Sequence, residues 1–178
     1  MDKEQKMNMK YRFLILTFFA ALLVGCKENQ WMDWKAQNDL WLEQNITAHE
    51  SDSNFYVLSD GLQYRIIADP TPNETRPNAG STVICDYTGK LINGYQFDGG
   101  TAQFTMSNLV TGFSEALRKI HTHGDIEIYV PYYLGYDEEV FTNDKIGDAE
   151  GNGTEGTQSY IPPYSVMIFN VHLSSVSN

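Results

Sequence analysis

V-I-C-D-Y-T-G-K-L-I-N-G-Y-Q-F-D-G-G, residues 83–100, is the stretch whose reading decides the fold. Val83, Cys85 and Tyr87 alternate with Ile84, Asp86 and Thr88, so a strand here carries on one face an apolar row that ends in a tyrosine. Asn93-Gly94 supplies the positive-φ pair that a tight hairpin needs, and the chain returns through Tyr95, Gln96, Phe97 and Asp98 to a second glycine pair, Gly99-Gly100. The hairpin thereby brings a buried aromatic up to a carboxylate at a strand end.

Upstream of the hairpin, Asp60-Gly61 makes a turn and Leu62, Tyr64 and Ile66 alternate as a strand face. Residues 69–80, with three prolines and two asparagines, read as a loop. Downstream, Phe104, Thr105 and Met106 read as a short strand. Phe113, Leu117 and Ile120 then fall at i, i+4 and i+7, one buried helical stripe, with Gly124 as the expected C-terminal cap. Ile126, Ile128 and Val130 alternate as a strand, Pro131 opens a turn, and Met167, Phe169, Val171 and Leu173 line one face of a last strand. An antiparallel β-sheet wrapped around one short α-helix follows, an α+β architecture.

The first 25 residues read as a targeting signal. Lys3, Lys6, Lys10 and Arg12 precede an apolar run at 13–24, which is too short for the roughly 20 residues a spanning helix needs. The run ends in Leu23-Val24-Gly25-Cys26, which resembles the lipobox of bacterial lipoproteins. That resemblance implies cleavage before Cys26, acylation of its thiol, and a lipid-anchored protein of the bacterial cell envelope, at the outer membrane, with periplasmic and surface faces both open. An ordinary signal peptide with an incidental cysteine is the alternative.

Residues 26–54 read as an N-terminal helical segment and linker, ahead of a domain at 55–178. The helix, expected over 30–49, holds Trp31, Trp34 and Trp41 on one face, a stripe that Asn38 and Asn45 interrupt. It either packs on its own domain or stands between the lipid and the fold, or it serves as a homodimerisation or client-contact helix. The chain carries a net charge of −11, and −13 once the basic signal is removed, which speaks against nucleic acid as a partner. With Cys26 acylated, Cys85 is the one remaining thiol, and its apolar neighbours mark it as a small core residue.

Tyr87 to Asp98 spell Y-T-G-x-L-x-x-G-x-x-F-D, which resembles the FKBP-type peptidyl-prolyl cis-trans isomerases. The likeness continues in Gly61-Leu62-Gln63-Tyr64, in Gly135-Tyr136-Asp137, which stands where the family writes A-Y-G, and in Ile161-Pro162-Pro163 ahead of the last strand. By resemblance the substrate pocket comprises Tyr87, Phe97, Asp98, Phe104, Leu109, Val110, Phe113, Tyr136, Ile161 and Phe169, with Phe113 in the place of the family's usual tryptophan.

The resemblance implies a folding helper that isomerises prolyl bonds of exported polypeptides, a reaction that needs no cofactor and no metal. In that reading the Ile161 N–H and the Tyr136 hydroxyl bond substrate carbonyls. Asp98 holds the wall through Tyr87 or polarises the twisted amide. Ala102, Phe113 and Asp137 depart from the family pattern. So does an expanded loop at 137–159 with seven acids against Lys145 alone. These departures favour the alternative, a binding module whose catalysis has faded. Residues 148–153 faintly resemble a calcium loop, but Ser159 stands where an EF-hand needs its closing acid. His121 and His123 read as cations near helix-end carbonyls, not as ligands.

Overall fold

The computed structural model describes residues 26–70, 74–141 and 160–178. The expected signal peptide at 1–25, and the expected acidic loop from residue 142 on, lie outside them. The chain divides into two compact units, Met1–Asp33 and Trp34–Asn178. The described part of the first is the opening of helix α1 (Cys26–Ala48). The second contains the rest of α1, then β1 (Phe55–Val57), β2 (Gln63–Ala68), β3 (Thr82–Leu91), β4 (Gln96–Thr105), α2 (Thr111–Leu117), β5 (Asp125–Val130) and β6 (Met167–Ser177). Among the described residues no helix is long and apolar enough to cross a membrane.

The six strands form one sheet in the order β1-β2-β5-β6-β3-β4, every neighbouring pair antiparallel. The hairpin of residues 83–100 is its organising piece, as the alternation requires. Gly94 takes φ +85° and donates to Leu91 O at 2.9 Å, and Leu91 N–H donates to Tyr95 O at 2.9 Å. β3 buries Val83, Cys85 and Leu91 against β6, where Cys85 pairs with Leu173 and Gly89 with Phe169. α2 lays Phe113, Ala116 and Leu117 on the same face of the sheet, closing a core that also holds Leu62, Ile120, Ile126 and Ile128. Burial of Cys85 in this core pushes its thiol up to about 12, out of the range of reactive cysteines.

Three expectations change. Phe104 and Thr105 do not begin a separate strand: β4 runs unbroken from Gln96, and the Gly99-Gly100 pair lies within it, Gly100 at φ +129°. A glycine can take that backbone conformation without a Cβ clash, so the strand continues through the pair. Gly124 does not cap the helix; α2 ends at Leu117 with Arg118 as its C-cap, and the left-handed residue of the following turns is His123 at φ +68°. The chain at 55–57 is an edge strand, too short for its periodicity to be read.

The third change concerns α1. Asn38 and Asn45 do not interrupt its contact face; they are the contact. Both side chains are buried, at 0% and 7% exposure. Asn38 Oδ1 accepts the Val166 N–H at 2.7 Å while its Nδ2 donates to Trp34 O at 2.7 Å. Asn45 Nδ2 donates to Gln63 Oε1 at 2.8 Å, and Gln63 Nε2 donates to Leu42 O at 3.1 Å. Trp34 Nε1 donates to Ser165 Oγ at 3.0 Å, and Trp41 packs on Tyr129 with ring centroids 5.8 Å apart. From Trp34 onward the tryptophan face is therefore used within the domain, because each polar group that it buries finds a partner there.

Candidate active site

The cleft begins with β3 and β4. Tyr87 and Asp98 lie near each other across the hairpin, since Tyr87 pairs with Gly100 and Gly89 with Asp98. The Tyr87 hydroxyl donates to Asp98 Oδ2 at 2.9 Å, and Asp98 Oδ1 accepts the Gly99 N–H at 2.8 Å. Desolvation first, and then this carboxylate, hold the Tyr87 phenol well above the ordinary tyrosine range, so the ring presents a neutral O–H. Asp98 itself is exposed.

Aromatic rings build the floor. Phe113, from the first turn of α2, meets Phe169 of β6 edge-on at 4.7 Å between centroids and Phe104 of β4 at 6.3 Å. Phe97 meets Phe169 at 5.6 Å and 89°, and Tyr87 meets Phe104 at 5.3 Å. Gly89 permits this packing: a Cβ there would stand 2.7 Å from the Phe97 ring and 2.9 Å from Phe169. Leu109, Val110 and Tyr136 complete a concavity of about 540 Å³, a volume suited to a small apolar group and its flanking backbone.

Nine of the ten sequence-expected pocket residues line this cleft; Ile161 does not. It is buried at 2% exposure, and its N–H donates to Phe141 O at 2.9 Å while Phe141 N–H returns to Ile161 O at 3.0 Å. The main-chain donor expected there is already engaged within the chain. Val110 offers another: it lines the cleft as the residue ahead of α2, and its N–H has no hydrogen-bond partner among the described residues.

Ala102, Gln103, Asn108 and Phe141 line the cleft too. Phe141 is the informative addition. Its ring stacks on that of Tyr136 with centroids 3.7 Å apart and planes 11° from parallel. Burial, and secondarily Asp98, raise the Tyr136 phenol above its ordinary range. A lone phenylalanine in an acidic stretch carries no periodic signal, so sequence reading passes over it. Asp137, which departs from the family's glycine, sits at φ +61°, accepts the Tyr164 N–H at 3.0 Å and donates to Tyr132 O at 2.8 Å. Aspartate tolerates this left-handed conformation better than most residues, so the turn after Tyr136 keeps its shape.

A second concavity, about 610 Å³, lies on the sheet's other face and is lined by Asp86, Thr88, Asp125, Asn170 and His172 among others. Its polar groups are largely satisfied by one another: Asp86 takes hydroxyls from Thr101 and Ser174, and Asp125 pairs with His172 Nδ1 at 2.9 Å. Among the described residues no three His, Cys, Asp or Glu side chains are grouped to hold a metal.

Residues 73–174 match the family model for FKBP-type peptidyl-prolyl cis-trans isomerases. The chain is 33% identical over 147 residues to the outer membrane protein MIP of Legionella longbeachae, covering 80% of this chain and 54% of that protein. It is 30% identical over 136 residues to the peptidyl-prolyl cis-trans isomerase Mip of Coxiella burnetii, covering 74% and 51%. It thus spans about half the length of these relatives. The crystal structure of FkpA from Escherichia coli superposes with a TM-score of 0.67 at 22% identity, covering 99% of this chain and 83% of that one, a likeness of fold. The matched segment takes in β3, β4, α2 and β5, which carry most of the aromatic cleft, and on that match the chain belongs to the FKBP-type peptidyl-prolyl cis-trans isomerase family.

Proposed function

We propose that this protein catalyses cis-trans isomerisation of prolyl bonds in partly folded polypeptides of the bacterial cell envelope. The observation that carries the reading is the convergence of Phe97, Phe104, Phe113 and Phe169 beneath the Tyr87–Asp98 hydrogen bond and beside Tyr136. The reaction is a rotation against a barrier of about 18–20 kcal/mol, set by amide resonance. The planar amide is the more charge-separated state. Seating the prolyl ring among these rings strips water from its carbonyl and so favours the twisted amide. The Tyr136 hydroxyl and the Val110 N–H are placed to orient substrate carbonyls. Val110 takes the role that sequence reading gave to Ile161, whose N–H is spent on Phe141.

Of the two roles expected for Asp98, support of Tyr87 is the stronger. An exposed carboxylate acts through water of high dielectric, where a unit charge at 4 Å is worth only about 1 kcal/mol. A protease-coupled assay on prolyl tetrapeptides tests the reading. Turnover well above the uncatalysed rate is the expected result, and absence of turnover on every prolyl peptide would leave the binding module.

We propose further that residues 1–25 are removed as a signal peptide and that Cys26 is acylated, anchoring the domain to the outer membrane. Stable attachment then depends on the acyl chains. Cys26→Ser should move the protein from the membrane to the soluble fraction, and retention of the cleaved variant in the membrane would contradict the anchor. A homodimer through the helix bearing Trp31 to Trp41 is kept as a proposal for its outward side, where Leu40 and Ile46 are exposed.

A further inference from the structure

Among the described residues β4 is an edge strand whose outward side has no strand beside it. It stands last in the sheet order and pairs, among the described residues, with β3 alone. The Met106 N–H donates to Ser81 O at 2.9 Å, one step beyond the Thr82↔Thr105 pair. In an antiparallel ladder this makes Thr82↔Thr105 a non-hydrogen-bonded pair, and the alternation gives Ile84↔Gln103 and Asp86↔Thr101 the same status. The N–H and C=O groups of Thr101 and Gln103 and the N–H of Thr105 therefore point away from β3, out of the sheet, and all three residues are exposed, while the Thr105 C=O serves the 3-10 turn at Met106–Asn108.

Edges of this kind are ordinarily blunted by lysine, proline, short length or a covering element. β4 is ten residues long, Q-F-D-G-G-T-A-Q-F-T, with no lysine, arginine or proline, and Asp98 is its one charge. The same strand forms one wall of the cleft through Asp98, Ala102, Gln103 and Phe104. Ala102 and Phe104, which face the cleft, alternate with the three residues whose amides point outward.

We propose that the β4 edge at residues 101–105 is a docking surface for an extended segment of the client polypeptide, which adds as a further strand while its prolyl residue enters the adjoining cleft. The inference rests on the isomerase reading and supplies its missing client chemistry. Main-chain pairing accepts any sequence that presents free, consecutive N–H and C=O groups, and it leaves side-chain selection to the cleft. Most backbone groups of a folded partner are already paired, whereas unfolded chain presents many consecutive free ones. The edge thus recognises unfolded chain as such, and a client gains affinity from residues flanking the proline.

Amide hydrogen exchange on the full chain, read residue by residue beside the turnover assay, tests the assignment with two probes. One is a prolyl tetrapeptide and the other a proline-containing peptide long enough to span β4. The long peptide should slow exchange at Thr101, Gln103 and Thr105 by about tenfold or more while Ala102 and Phe104, already bonded to β3, stay unchanged. N-methylation of alternate flanking residues in that peptide should abolish the protection. Thr105→Pro, at a position whose φ is −91° and whose N–H faces outward, should raise KM for the long peptide several-fold and leave tetrapeptide kinetics unaltered.

Turnover of both peptides with unchanged exchange at the three amides overturns the edge assignment and leaves the isomerase reading standing. Protection of the three amides without turnover of either peptide does the reverse. Protection that appears without peptide and grows with protein concentration assigns the edge to a second copy of the chain and overturns the client.

Discussion

The ring of Phe141 lies face to face with that of Tyr136, centroids 3.7 Å apart, and its backbone is tied to Ile161 by two hydrogen bonds. Stacking restrains the Tyr136 ring, and the paired backbone restrains the stack, so the phenol's direction in the cleft is set by a residue five positions further along the chain. Phe141→Ala should lower kcat/KM about three- to tenfold, in line with the ~0.5–1.5 kcal/mol of an aromatic pair. Uncovering the ring should also bring the Tyr136 phenol down toward 10.0, since burial is the main cause of its rise. Ultraviolet titration of the variant, with Tyr136→Phe as the spectral reference, checks this; an unchanged titration would mean that Phe141 does not shield the phenol.

Asp98 and Tyr87 act as one unit in this structure, which a double-mutant cycle can resolve. Tyr87→Phe and Asp98→Asn should each reduce turnover several-fold. The double variant should be little worse than either, because the bond is lost once. Additive losses in kcat/KM would show that Asp98 acts on the substrate independently of Tyr87. Circular dichroism should report folding in all three, since Asp98 is exposed and Tyr87 keeps its ring as phenylalanine.

Asn38→Ala leaves the buried Val166 N–H without its acceptor, at a cost of about 1–3 kcal/mol. For a chain of this size Tm should fall by about 2–4 °C for each kcal/mol. Thermal unfolding followed by circular dichroism measures it. A change of less than a degree would show that the Asn38–Val166 bond contributes nothing to the stability of the domain.

The alkaline limb of stability has a definite direction. Cys85 ionises near 9.0 when unfolded and at about 12 when folded, so its contribution is complete below pH 9 and is lost as pH rises toward 12. Tyr64, Tyr87, Tyr129, Tyr133 and Tyr136 are all raised above 10.0 and act in the same sense from pH 10 upward. Tm should therefore decline from about pH 9. Cys85→Ala should flatten the curve between pH 9 and pH 10 and leave the steeper decline above it.

Asp137→Gly should stabilise the chain by up to about 1 kcal/mol by relieving a left-handed aspartate, whereas Asp137→Val should cost roughly 1–2 kcal/mol. Denaturant unfolding of both variants provides the comparison. Equal stability for glycine and valine would remove the conformational account of this position.

Local pattern was enough for the hairpin, for the buried faces of β2, β5 and β6, and for the stripe on α2, because strand and helix periods are written directly into which residues are apolar. Family motifs then named Tyr87, Phe97, Asp98, Phe113, Tyr136 and Phe169 as neighbours. Only the folded chain could show which polar groups are already spent. Asn38 and Asn45 look like breaks in a tryptophan stripe until Val166 and Gln63, more than a hundred residues and eighteen residues away, are seen to complete their hydrogen bonds. Ile161 looks like a free donor until Phe141 takes its N–H, and Phe141 looks like loop until it meets Tyr136. A side chain's apolarity and period are local properties, whereas the satisfaction of a donor or acceptor depends on what the rest of the fold brings within about 3 Å.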